Sequence, residues 1–277
     1  MEEVTTMSAV QTRPASLDTG ERLRPVYTGV AAFGLLLIAL APTLIVVIAL
    51  ASGLQLGGEF ATFLLPATLA IVAATLVWRF GTWAKILGAL VSALAALALF
   101  WLAFGIAVPA SFGDFVPGLV FTLGVLIGLG GSIAAIVQGR RGHLRADATT
   151  GERRIITGVT GVIVIAALAS AILWFTSRST VDAATADVTA TMHDFAFQEG
   201  TYQVASGDTL LVHNSDGFMH DFTVHELGIA AEVAPGSGEL VEMPDQPGTY
   251  VIYCTLHSDP EATDASDGDM VAALVIE

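Results

Sequence analysis

The stretch that decides the fold is PGTYVIYCTLH, residues 247–257. It opens on a Pro-Gly turn, continues through apolar and aromatic residues suited to a strand, and ends in Cys254-Thr255-Leu256-His257. A thiol and an imidazole three residues apart then share one short loop at a strand end. Cys254 is the single cysteine of the chain, so no disulfide forms within it and the residue takes its meaning from its neighbours. Two further pieces carry related chemistry. HNSDGFMHDFTVHE (213–226) supplies His220, and DGDMVAALVIE (267–277) supplies Met270.

His220, Cys254, His257 and Met270 amount to two imidazoles, a thiolate and a thioether. That set matches a trigonal copper site with a long axial Met. Soft sulfur favours Cu(I), imidazole serves both oxidation states, and a site fixed between the two geometries rearranges little when an electron moves. Cys-x-x-His delivers two donors from one loop. His220 has to arrive from a distant segment, which a β-sandwich accomplishes.

These pieces resemble the plastocyanin/halocyanin branch of the cupredoxins. The resemblance rests on the turn Gly207-Asp208, on Asn214 shortly before His220, on Pro-Gly-Thr-Tyr leading into Tyr-Cys-Thr, and on a Met followed by a terminal strand. It covers roughly residues 187–277. It implies that His220, Cys254, His257 and Met270 bind one type 1 copper ion, that the activity is one-electron transfer, and that electrons pass through His257, the more exposed imidazole. Two features depart from the family. SDPEATDASDGD separates His257 from Met270 where the family often has only a few residues, and Asp221 follows the first His where plastocyanins often have Asn.

Other donors fit less well. His225 shares a strand face with Asp221 and Thr223, opposite Phe222 and Val224, so alternation aims it at solvent. His213 and His193 read as surface residues, Met219 as the rim of the site and Met243 as a packed strand residue. A binuclear copper centre needs a second Cys, and the His-x-His pairs of multicopper oxidases are missing. No enzyme activity is expected.

Working outward, short strand-like runs occupy Thr189–Met192, Tyr202–Ala205, Thr209–His213, Phe222–His225, Glu239–Met243, Tyr250–Tyr253 and Val271–Ile276. Turn signals separate them, and no helix is expected among them, so residues 187–277 read as an all-β, cupredoxin-like Greek-key sandwich. Residues 176–186 form a Ser/Thr/Ala linker. Upstream, residues 26–175 hold five apolar segments, approximately Val26–Ala51, Phe60–Trp78, Ile86–Val108, Phe115–Val137 and Ile155–Phe175. Each is near the length needed to cross a bilayer, and none contains Asp, Glu, Lys, Arg or His. The expected fold class is thus an all-α transmembrane bundle of five spans followed by the sandwich. With no His in any span, haem ligation there is not expected. Pro42 and Pro66 are expected to kink their helices, and Gly124 and Gly128 form a small-xxx-small pair that permits close helix contact. Residues 1–25 read as a disordered cytoplasmic tail.

Charge divides the chain in the same place. Val181–Glu277 contains 18 Asp and Glu and no Lys or Arg, whereas the first 180 residues hold all 11 basic residues and 8 acids. The acidic half argues against nucleic acid and suits either a high-salt habitat or a basic partner. With the N-terminus inside, ten basic residues fall in inside segments and only Arg178 falls outside. The positive-inside rule then places the sandwich on the extracellular face of a multi-pass cell-membrane protein.

The reading from sequence is a membrane-tethered blue-copper protein carrying single electrons on the outer face. Its partners would be redox proteins, including a membrane respiratory complex, and membrane lipid. Two alternatives stay open: a copper-handling domain for storage, sensing or delivery, and a structural subunit of a membrane respiratory complex.

Overall fold

The structure is a computed structural model that describes residues 23–51, 60–98, 105–176, 181, 183–258 and 270–277. Residues 1–22 of the expected tail, part of the linker and residues 259–269 of the acidic insertion lie outside the described residues.

Among the described residues, five helices form the N-terminal part. They are α1 (Thr28–Ala51), α2 (Phe60–Arg79), α3 (Thr82–Ala96), α4 (Phe112–Arg140) and α5 (Thr150–Thr176). By length and composition α1, α4 and α5 are able to cross a membrane; Leu64–Arg79 of α2 and all of α3 count as shorter apolar helices. Five apolar helices thus stand where five segments were expected, and three of them reach spanning length. Hydrophobic side chains from all round each helix fill the bundle or face outward, as suits an apolar solvent. Pro42, Pro66 and Pro117 lie inside helices.

The α1–α4 seam is built on small residues. A Cβ at Gly34 would lie 2.1 Å from the backbone nitrogen of Gly128, and one at Gly124 would lie 2.7 Å from that of Ile38. The small-xxx-small pair Gly124/Gly128 therefore serves a contact within the chain. At one end of the bundle β1 (Arg24–Pro25) pairs with β2 (Leu144–Arg145), and Arg24 lies over the Trp78 ring at 4.0 Å. Arg140 closes α4 at that same end.

The sandwich begins after α5. One sheet has the order β5 (Thr201–Val204), β11 (Val271–Ile276), β10 (Gly248–Tyr253), β7 (His220–Val224), β8 (Ile229–Val233). The other has the order β4 (Ala196–Phe197), β3 (Val188–His193), β6 (Thr209–Asn214), β9 (Gly238–Glu242). Both sheets are mixed: β11 runs parallel to β5, and β3 runs parallel to β6. Alternation sends Ala190 and Met192 of β3, Tyr202 and Val204 of β5, and Leu274 and Ile276 of β11 into the shared core.

Two strands, β4 and β8, add to the expected set. One expectation is corrected. The face of β7 that carries Asp221 and Thr223 does not meet solvent, for every residue of this strand is buried. The strand lies between β10 and β8, and the loop after β10 covers that face. His225 itself is exposed, in the short 3-10 turn that follows β7.

Candidate metal centre

Three donors converge at one end of the sandwich. His220 is the first residue of β7, and Cys254 and His257 lie on the loop that leaves β10. The two Nδ1 atoms are 3.0 Å apart, and Cys254 Sγ lies 3.8 Å from His220 Nδ1 and 3.4 Å from His257 Nδ1. The circle through three points with those sides has a radius of about 2 Å, the length of a bond from a transition metal to imidazole nitrogen. Among the described residues this trio is the one group of His, Cys and acidic side chains placed to share a metal ion. The donor set and its span fit a single soft or borderline ion.

Each donor is held by its surroundings. The Cys254 amide donates to Met270 O at 3.1 Å, and the His257 amide donates to Cys254 O at 3.2 Å. The Asp221 amide points at Cys254 Sγ, 3.4 Å away. The Asp221 carboxylate accepts the Thr255 amide at 3.0 Å, the Thr223 hydroxyl at 2.9 Å and the Thr255 hydroxyl. Asp221 thus braces the Cys loop from the neighbouring strand. Met270 is fully buried, and its carbonyl also accepts Ser258 Oγ at 2.9 Å, so its backbone lies directly beside the Cys loop.

His220 is fixed from the far side of its ring. Its Nε2 lies 2.8 Å from Asp216 Oδ2, which assigns the ring proton to Nε2 and leaves the Nδ1 lone pair facing the other donors. Asp216 also accepts the amides of Asp194 and Phe195, at 2.8 and 3.0 Å. Burial alone would raise its pKa; the bonds from His220 and from these two amides outweigh burial and hold it below the ordinary value. Asp194 and Phe195 form the two-residue turn between β3 and β4, both with positive φ, 58° and 54°. That turn sets the Phe195 ring against His257 and His220, with centroids 4.8 and 5.4 Å away.

Burial pushes the Cys254 thiol up to about 11, with the Asp221 carboxylate adding to the effect. Burial and the neighbouring His220 bring His257 down to about 3. The pocket therefore favours neutral donors, and a cation that enters it replaces the thiol proton.

Residues 164–263 match the family of cupredoxin-like domains. The chain carries a cupredoxin-like domain. The match starts within α5 and ends before Met270. Similar solved structures include a reduced Cu(I) form at pH 4 of a proline-to-glycine mutant of amicyanin. It is 15% identical, covers 32% of this chain and 81% of that one, and has a TM-score of 0.26. An oxidised proline-to-alanine mutant of amicyanin is 18% identical, covers 36% and 90%, and has a TM-score of 0.29. A reduced tryptophan-to-tyrosine mutant of amicyanin is 20% identical, covers 36% and 87%, and has a TM-score of 0.27. No curated protein sequence matches the chain.

In the cupredoxin-like domain His220, Cys254 and His257 come together, and Met270 lies buried beside the Cys loop. The other candidates sit elsewhere. His213 is on β6, paired with β9, and Met243 is buried in the core. Met219 is buried next to His220. His193 Nδ1 lies 3.2 Å from Asp216 Oδ1, outside the donor triangle. Sequence reasoning missed Asp216 and Phe195. The first reads as part of the Ser-Asp-Gly turn and the second as one more aromatic residue. The available signal was a carboxylate four residues before His220.

Proposed function

We propose that this chain is a membrane-anchored blue-copper protein that carries one electron at a time. The triangle of two imidazole nitrogens and a thiol sulfur carries that reading. His220, Cys254 and His257 would hold the ion, and Met270 would add its thioether as a weak fourth donor of a type 1 centre. Copper bound by such a set supplies a couple between Cu(I) and Cu(II) with intense thiolate-to-metal absorption. The protein supplies rigidity: Asp216 fixes the His220 ring, and Asp221 ties the Cys loop to β7. Of the two imidazoles His257 is the more exposed, and it is the exit for the electron.

The five apolar helices act as a multi-pass anchor with the N-terminus in the cytoplasm and the copper domain outside. The ten-to-one distribution of basic residues supports that orientation. So does their gathering around Arg24, Arg145 and Arg140, at the end of α4 opposite the one that touches the sandwich. The chain is a carrier and not an enzyme, and its partners are redox proteins, among them a membrane respiratory complex.

Full-length protein in lipid nanodiscs, titrated with copper, tests this. One copper per chain should produce a strong blue or green band that bleaches reversibly with ascorbate, and Cys254→Ser should abolish the band. Colourless protein whose copper leaves readily to a chelator would sink electron transfer in favour of copper storage or delivery. Met270→Leu should move the spectrum and raise the reduction potential; an unmoved spectrum removes Met270 from the ligand set.

A further inference from the structure

The loop between Asn214 and His220 is held by the helical bundle at three successive residues. Gly217 touches the head of α4: a Cβ at Gly113 would lie 2.4 Å from Gly217 O and 3.1 Å from Phe218 Cδ1. Phe218 packs on Ala49 near the end of α1, with Ile45, Ile48 and Phe195 around it. The Met219 amide donates to Asp114 Oδ2 at 2.9 Å, a bond between residues 105 apart in sequence. His220 comes next.

The head of α4 is arranged for this contact. Ser111 stands at the N-cap, three residues before Asp114, the spacing of a capping box. Yet Ser111 makes no side-chain bond to the helix amides, and its hydroxyl donates to Asp114 Oδ2 instead. The carboxylate is thereby aimed out of the helix and onto the loop. A carboxylate in the first turn of a helix is favoured by the helix dipole, and it is a strong acceptor for an amide.

We infer that the head of α4 is a positioning element of the copper site, with Asp114 fixing His220 from the bundle side through the Met219 amide. The inference rests on the copper reading above. His220 then has two restraints of different origin. Asp216, from its own domain, orients the ring, and Asp114, from the bundle, sets where the strand that bears it begins. Neither Asp114 nor Gly113 touches the donors themselves. The spectrum and potential of such a centre depend on the placement of its imidazoles, so the bundle tunes the site as well as carrying it.

The test uses the full chain in nanodiscs, loaded with copper. Asp114→Leu removes the acceptor, and Gly113→Ala drives a methyl group into Gly217 O. Each should displace the thiolate band, change the EPR hyperfine splitting, shift the reduction potential and speed copper loss to a chelator by about tenfold. Asp114→Asn keeps an oxygen for the Met219 amide and should return the spectrum toward wild type. If Asp114→Leu and Gly113→Ala both show wild-type spectra and potentials, the contact is mere docking and the inference is overturned, whatever their melting temperatures. Should Asp114→Leu fail to insert, Gly113→Ala decides by the same readings. Unmutated protein that binds no copper overturns the functional reading itself, an outcome seen before any variant is made.

Discussion

At Asp216 a single buried carboxylate serves both the metal centre and the turn beside it. One oxygen meets His220 Nε2 and the Phe195 amide, and the other meets the Asp194 amide. A non-glycine residue in the left-handed region costs about 1–2 kcal/mol, so the turn at Asp194 and Phe195 needs what Asp216 supplies. Asn214 Oδ1 in turn accepts the Asp216 amide at 2.9 Å, and Asn214 Nδ2 donates to the carbonyls of Phe218 and Val233. Asp216→Ala therefore strips two amides and one imidazole of their acceptor together. It should lower copper affinity by about 10–100-fold, as loss of the residue that orients a metal-binding His does. Competition with a chromophoric chelator measures it. An affinity within twofold of wild type would show that His220 is oriented by the fold alone. The pairing of Cys254 with His257 was legible in the sequence because Cys-x-x-His is a local pattern. Asp216 and Phe195 were not, because their roles arise only when the β3–β4 turn meets the loop before β7, some twenty residues away.

At the scale of elements, β5 alternates cleanly and was readable from its period, and β11 was readable as a short apolar run. β7 was misread on one face. Asp221 and Thr223 look like solvent-facing polar residues until β10 and its loop pack over them, and no local pattern carries that. β8, Ile-Ala-Ala-Glu-Val, went unmarked because small residues blur the alternation. In the bundle the glycines mattered more than the hydropathy. Gly34 and Gly128 let two backbones touch, and a side chain at Gly34 would collide with the Gly128 nitrogen at 2.1 Å. Gly34→Val should destabilise the bundle by about 1–3 kcal/mol through overpacking. Gly130→Ala, where a Cβ meets nothing within 4 Å, should be neutral or slightly stabilising. Thermal unfolding of the full chain in one detergent compares them. Equal melting temperatures for the two variants would mean that the α1–α4 seam is not tightly packed.

For the whole molecule, the deciding quantity is the charge of the sandwich, 18 acidic residues against no Lys or Arg from Val181 onward. Asp216 and Asp221 are buried at the centre, but Glu226, Glu232, Glu239, Glu242 and Asp245 are exposed, in a domain that holds no Lys or Arg. Such a surface attracts cations over roughly a Debye length, about 8–10 Å at physiological salt, and repels anions equally. Electron exchange with small reagents of opposite charge reads that field without knowledge of the natural partner. The copper-loaded protein should react faster with hexaammineruthenium than with ferricyanide once driving force is matched. Raising salt from low to molar concentration should slow the first and speed the second, each by about tenfold. Protein whose two rates ignore salt would show that the acidic surface does not steer the reacting edge at His257. Acidity would then belong to the solvent the protein lives in, and the choice of partner would fall to the apolar rim, where Leu256 stands exposed beside His257.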